Sequence, residues 1–507
     1  MTTLIRYLLL GALIAVACPV LEAQVRIGPR GPYRIDADEE DAGSERWDIE
    51  ATPAAVPELA LAYSLLPDPA LALPGNAVAF YREALLELQR TLAMRRSLLS
   101  DMAAWQDLRP ARLPADRARL VVREFSGVLD LVRAGAQRID TDWGMLEDRA
   151  ASRWHPSLPA LRFSDAIELS RCLALIDLAC RLAMAEGDYA EAEPWLQCGW
   201  RLANDIGRRP RLNDQITAVG LGNRMLVTVR HWIGSPDSPN LFWALARLEL
   251  PIGDSKRALE YELRIPELWI GAGDDAPWTR SKEEWNAIYR RLTQAVTGGD
   301  RRNEVVLRMT LIQSYPLAKR ELQSWGYSPD QLARLPARGM VLLHQYHVAR
   351  HNRHALVKWL ALPEPACSQG MRRTLRQLRE EGWIGTGMTA EGVPRRDWLD
   401  RVGHSAEQAT RYYFTIRDSQ QLLLAKRNAL MVVEALRHFA ARHDGRLPQR
   451  LEEITSLPVP INPLTRQAFG YRRLSDRAAE VLIDGDENAK ENLATGAWRI
   501  LRIDVRP

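Results

Sequence analysis

A three-and-four spacing of apolar residues, sustained from about Leu59 to about Arg442, constrains this chain more than any other feature. Tyr81, Leu85, Leu88 and Leu92 follow it, and so do Leu175, Leu178 and Leu182. Side chains so spaced share one face of a helix. Breakers divide the run at Pro110–Pro114, His155–Pro159, Gly187–Asp188, Ile206–Pro210, Ser235–Pro239, Pro251–Gly253, Gly271–Pro277, Gly298–Asp300 and Leu362–Pro365. Leu, Ala, Arg and Glu dominate between them, and β-branched clusters are few. The pattern predicts a mainly α protein. Residues 58–400 should form helical hairpins, a bundle or a short solenoid.

The amino-terminal end reads differently. Arg6 precedes an apolar run from Tyr7 to Leu21 that breaks at Pro19 and Glu22. A membrane-spanning helix needs ~20 apolar residues to cross ~30 Å of hydrocarbon, and this run is shorter. It predicts a signal peptide over residues 1–23, with Ala23 the last residue removed. Ala15-Val16-Ala17-Cys18 loosely resembles a lipobox, which makes an acyl anchor on Cys18 the alternative. Pro19 and the missing leucine at −3 count against it. The mature chain is expected to be exported, periplasmic or extracellular, with no transmembrane segment. Residues 24–57 hold Gly28, Pro29, Gly31, Pro32, Pro53 and Pro57 among their breakers, with the acidic run Asp36–Asp41, which predicts a flexible tether.

The net charge is +4, and removing Arg6 and Glu22 with the signal leaves it so. Basic and acidic residues are interspersed, as in Asp116–Glu124 and Arg372–Glu381, in the manner of solvated helix surfaces. Nucleic-acid binding usually needs a concentrated basic face, so no nucleic-acid partner is expected. Beyond Cys18 the cysteines are Cys172, Cys180, Cys198 and Cys367, too sparse for a disulfide scaffold. Cys172 and Cys180 lie ~12 Å apart along one helix and cannot pair. A Cys180–Cys198 bridge across a helical hairpin is the one candidate; buried free thiols are the alternative.

That hairpin turns at Gly187-Asp188-Tyr189-Ala190-Glu191-Ala192, within residues 171–205. The turn resembles the Gly-x-Tyr-x-x-Ala signature of a tetratricopeptide hairpin, although no second copy occurs at the expected period. Asp188 and Glu191 suggest a capping box, and Pro194 suggests a kink or a later helix start. Residues 405–507 are expected to form a separate module. Ala425, Ala429, Val432, Leu436 and Phe439 mark one face of a long helix that Gly445 and Pro448 should stop. Three strand-like segments come next, Ala468–Leu474, Glu480–Ile483 and Trp498–Ile503, which predict an antiparallel α+β module. Gly445-Arg446-Leu447-Pro448 and the stretch Asn462-Pro463 to Gly470-Tyr471 resemble the carboxy-terminal half of type II secretion pseudopilins. The prepilin amino-terminal helix that defines those proteins has no counterpart here. With Pro74-Gly75-Asn76-Ala77 and Pro239–Leu245, the chain also resembles a family of exported bacterial helical proteins. That resemblance implies an architecture and no chemistry.

Four histidines, His344, His347, His351 and His354, fall within an arc of ~80° on one helix face. Leu342, Tyr346, Ala349, Leu356 and Leu360 lie opposite, so the imidazoles should face solvent or a partner. His347 and His351 are one turn apart and could share a zinc or copper ion. A solvated face that becomes positive in mild acid is the plainer reading. Asp484, Asp486 and Asn488 alternate as oxygen donors in the final loop. Some pseudopilins bind calcium there, so calcium is a candidate ligand; a turn capped by Asp and Asn side chains is the alternative. Sixteen tryptophans against seven phenylalanines point first to helix junctions, with Trp195, Trp200, Trp232 and Trp243 in helical register. Gly385–Ala390 matches a dinucleotide fingerprint in letters only, because no strand precedes it and Pro394 falls where its helix should run.

No catalytic residue stands out. The sequence therefore predicts an exported non-enzymatic scaffold or protein-interaction protein with a protein or cell-envelope partner. An extracytoplasmic hydrolase or metal-dependent enzyme is one alternative, and a secretion-system accessory is the other.

Overall fold

The computed structural model describes residues 45–95, 97–106, 108–144, 163–270, 279–297, 301–385, 405–483 and 498–506. The expected signal peptide, Cys18, the start of the tether, most of the Gly385–Ala390 loop and the Asp484, Asp486, Asn488 loop lie outside these residues. In chain order, β1 is Glu45–Ala51, β2 Leu73–Asn76, α1 Ala77–Met94, α2 Ser97–Ala104, α3 Ala115–Glu124, α4 Ser126–Ala136 and β3 Arg138–Asp140. Then come α5 Phe163–Ala185, α6 Tyr189–Gly207, α7 Leu212–Ile233, α8 Phe242–Ala246, α9 Ser255–Ile270, α10 Lys282–Thr297 and α11 Arg301–Ser324. After them are α12 Pro329–Ala333, α13 Ala337–Val357, α14 Ala366–Glu380, α15 Ala406–Arg442, β4 Gly470–Arg473, β5 Ala478–Leu482 and β6 Trp498–Val505. The protein is mainly α with a small mixed sheet. No helix among the described residues is long and apolar enough to cross a membrane.

The chain divides into two compact units. One gathers the described residues of Met1–Val56, Pro236–Phe242 and Ala425–Pro507. Its sheet has the order β1-β6-β5-β4. β5 runs antiparallel to both neighbours, as expected, but β1 pairs parallel with β6. Two expectations are corrected here. The tether does not extend to 57, and the module is not built of three antiparallel strands alone. The reason is legible in Glu45–Ala51 itself: Trp47, Ile49 and Ala51 are buried while Asp48 is exposed. That period of two is a strand with one face inward. It pairs Ile49 with Ile503 and Ala51 with Val505, so apolar side chains meet on the buried face.

A buried ion pair on α15 ties the same unit together. Arg437 donates through Nη1 to Glu434 Oε2 at 2.8 Å, and both side chains are fully buried. Arg437 also donates to the carbonyls of Thr52 and Ser238. Asn240 donates to the carbonyls of Ala54 and Glu434, and the Leu241 amide donates to Glu434 Oε1. The pair thus bonds backbone groups that would otherwise be buried unpaired. Of the expected helix face, Ala425, Ala429, Val432 and Leu436 are wholly buried. Phe439 is only half-buried, its ring stacked on His443 at 3.8 Å. The helix stop uses two left-handed residues rather than Gly445 alone, since Asp444 has φ +53° and Gly445 φ +78°.

The other unit comprises Pro57–Ser235 and Trp243–Leu424. The hairpin forms between α5 and α6, and α7 packs along both. Gly187, at φ +76°, ends α5 in a left-handed cap, with Asp188 N–H bonded back to Ala183 O. Asp188 then accepts from Glu191 N–H at 3.0 Å, one half of the expected capping box. α6 starts at Tyr189 and includes Pro194, so the expected later start is not observed. The Cys180–Cys198 bridge is not formed. Cys172, Cys180, Cys198 and Cys367 are all buried free thiols. Cys180 Sγ meets Ala192 O at 3.4 Å. Ala192 is six residues from Cys198, or ~9 Å of helical rise, beyond the reach of a disulfide. Trp195, Trp200 and Trp232 are buried, and Trp243 is half-buried.

Candidate functional site: a column of aromatic and imidazole rings

The histidine helix is α13, and its face is not uniformly solvated. His344 is 1% exposed, His347 is half-buried, and only His351 and His354 are exposed. The expectation that all four imidazoles face outward is therefore corrected. Two helix endings cover the start of the stripe. α11 stops at Gly326, φ +96°, with Tyr327 N–H bonded to Leu322 O. α14 stops at Gly382, φ +76°, with Trp383 N–H bonded to Leu378 O. Both are glycine caps in which the residue after the glycine turns back toward the helix. They deliver Trp325, Tyr327 and Trp383 onto the histidine face.

The rings form a column. His344 lies parallel to Trp325 at 5.2 Å between centroids, and Trp325 parallel to Trp383 at 6.1 Å. His351 then stacks on Trp383 at 3.8 Å with 19° between planes. The column thus runs from a buried imidazole to an exposed one. His347 stands edge-on to Trp325, Tyr327 and Tyr346 at 5.5–5.6 Å. Edge-to-face and offset packing are the favoured arrangements of such rings.

Polar contacts fix the column. His344 Nε2 meets Glu321 Oε2 at 2.8 Å, and His347 Nε2 meets the Tyr327 hydroxyl at 2.7 Å. Asn352 donates to Trp383 O at 3.3 Å. His344 Nδ1 and Asn352 Oδ1 are buried without a hydrogen-bond partner among the described residues. Burial, with smaller contributions from His344 and Arg350, lowers the His347 pKa to about 4. That ring is therefore neutral at neutral pH. Burial likewise raises the Tyr327 hydroxyl. A neutral Tyr–His pair beside the Trp325 indole presents flat apolar surface with a few hydrogen-bonding edges. Such a surface suits recognition of rings, CH-rich faces or cations.

The proposed ligands His347 and His351 have separate engagements, one with a hydroxyl and the other with an indole face. Among the described residues no three His, Cys, Asp or Glu side chains are arranged to hold an ion.

Two further polar networks were not legible in the sequence. Asp177 receives Arg181 and Arg224 on Oδ2 and the Thr228 hydroxyl on Oδ1. Burial alone would raise its pKa, but the two guanidinium groups and the hydroxyl hold it well below the usual carboxylate range. Arg181 extends the network to the carbonyls of Trp105 and Leu108. Asp205 accepts from the Tyr81 and Thr141 hydroxyls and from Arg201, and burial raises its pKa against the pull of Arg201. Both carboxylates are spent on anchoring chain segments. Beyond the histidine stripe itself, the sequence signal for the ring column was a helix-stop glycine with an aromatic residue directly after it, as in Gly326-Tyr327 and Gly382-Trp383. No protein-family model, curated protein or solved structure matches this chain.

Proposed function

We propose that this protein is an exported, non-enzymatic scaffold whose helical unit recognises a protein or cell-envelope partner through the Trp325–Trp383–His351 column. The reading rests on the outer end of that column. His351 is exposed and stacked on an indole, and Trp325 and Trp383 are left half-buried at the surface. Tryptophan so placed offers large contact area at little conformational cost, which is why it is enriched where partners bind. The tetratricopeptide-like hairpin would then belong to the support that carries this face, and the pseudopilin-like module would be a unit of its own.

Affinity capture from envelope extracts tests the reading when wild type is compared with Trp383→Ala and His351→Ala. A partner retained by wild type should be lost or weakened at least about tenfold with either variant, the usual size of a central aromatic contact. Equal capture by all three proteins would remove the column from the binding surface.

A further inference from the structure

α11 carries apolar residues on two faces, and the protein covers one of them. Leu307, Leu311, Ala318 and Leu322 are buried in a core that includes Trp285 and Leu343. Val305, Met309 and Ile312 are 55%, 45% and 74% exposed, and Pro316 is exposed with them. At 100° per residue these four fall within an arc of about 60° and span ~17 Å along the helix axis. Singly scattered apolar residues are ordinary on a protein surface, but a contiguous stripe marks a place where something binds. A helix that is apolar on opposite sides belongs against a second apolar medium.

Both edges of the stripe are polar or basic. Arg308 and Lys319 lie along one side and Gln313 and Arg320 along the other, all of them exposed. α11 has two carboxylates, and both are engaged: Glu304 accepts from Arg308, and Glu321 meets His344 Nε2. Lys319 and Arg320 have no carboxylate partner among the described residues. An apolar strip flanked by cations complements a bilayer that contains anionic lipids. The aliphatic side chains enter the boundary between headgroups and acyl chains, and the cations meet the negative surface. A second copy of the chain fits less well. Packing the stripe on itself would set these cations against one another, and four side chains fall short of the about 800 Å² per partner that a specific protein interface buries.

We infer that α11 docks the protein on a membrane surface, laying Val305, Met309, Ile312 and Pro316 on a bilayer with Lys319 and Arg320 on its anionic headgroups. The helix rests on the bilayer and does not cross it, being neither long nor apolar enough to span. This contact is separate from the ring column.

Co-sedimentation of the full chain with vesicles tests this, using phosphatidylglycerol and phosphatidylcholine in equal parts against phosphatidylcholine alone. Wild type should bind the mixed vesicles at least about tenfold more tightly, since each cation near an anionic surface adds to the attraction. Ile312→Asp should weaken that binding about tenfold or more, and so should Lys319→Gln combined with Arg320→Gln. Melting temperatures should stay unchanged, because these side chains are exposed. Trp383→Ala should bind vesicles as wild type does; loss of binding there would move the lipid contact to the ring column. No binding to mixed vesicles, equal binding to both kinds, or wild-type binding by either α11 variant would each overturn the assignment. In the last case the apolar amino terminus or another surface would hold the lipid. A lipid-free dimer that Ile312→Asp dissociates would give the stripe to a second copy instead.

Discussion

His347 shows how a residue that looks like a pH sensor in the sequence is silenced by its surroundings. Its folded pKa is lowered to about 4, first by burial and then by His344 and Arg350. An unfolded histidine titrates near 6.5. As pH falls through about 6.5 the unfolded state takes up the proton first, so this contribution to stability is complete above that value and declines toward pH 4. The ring is partly exposed, so screening reduces the effect to about 1–2 kcal/mol. His231 and His438 are shifted in the same direction, so the whole protein should lose stability in acid. The difference between wild type and His347→Gln isolates this ring. Urea unfolding at pH 7 and pH 4.5 should show the variant losing about 1–2 kcal/mol less across that interval. An equal loss in both proteins would mean that His347 is not desolvated as described.

At the scale of the element, α15 carries its apolar pattern to the end, but burial stops earlier. Leu436 is fully buried, whereas Phe439 is half-buried and stacked on His443. Leu436→Ala should therefore cost about 2–5 kcal/mol through lost transfer energy and a cavity. Phe439→Ala should cost about 1–2 kcal/mol, since water already reaches the ring and little cavity would form. Chemical denaturation of the two variants checks the order. If Phe439→Ala proved the more damaging, the helix end would be packed more tightly than its geometry indicates. The glycine stops of α5, α11 and α14 are the converse case. Gly187, Gly326 and Gly382 all sit at positive φ, and of the three only Gly187 was among the expected breaks.

For the whole molecule, the carboxy-terminal module is assembled from three separate stretches of chain. β1 supplies one edge of its sheet, and Ser238, Asn240 and Leu241 bond to the Glu434–Arg437 pair. Deleting residues 45–51 should leave β6 as an open edge and remove the buried Trp47, Ile49 and Ala51. Limited proteolysis of that deletion should cut within Gly470–Val505 at least about tenfold faster than wild type, while α5–α7 stay protected. Unchanged cleavage would show that β1 is dispensable to the sheet. The sequence alone determined the class of the fold, the helix stops at Gly187 and Gly445, and the existence of a terminal α+β module. Each depends on interactions within a few residues: three-and-four spacing, a glycine cap, a proline, an alternating strand. Tertiary structure alone decided that β1 joins β6 across most of the chain. It also decided that Cys180 meets Ala192 rather than Cys198, and that two indoles from other helix ends close over the histidine stripe. Those outcomes turn on which faces meet across long sequence separations, and a one-residue change in register or a ~100° turn of a helix alters them without changing the local pattern.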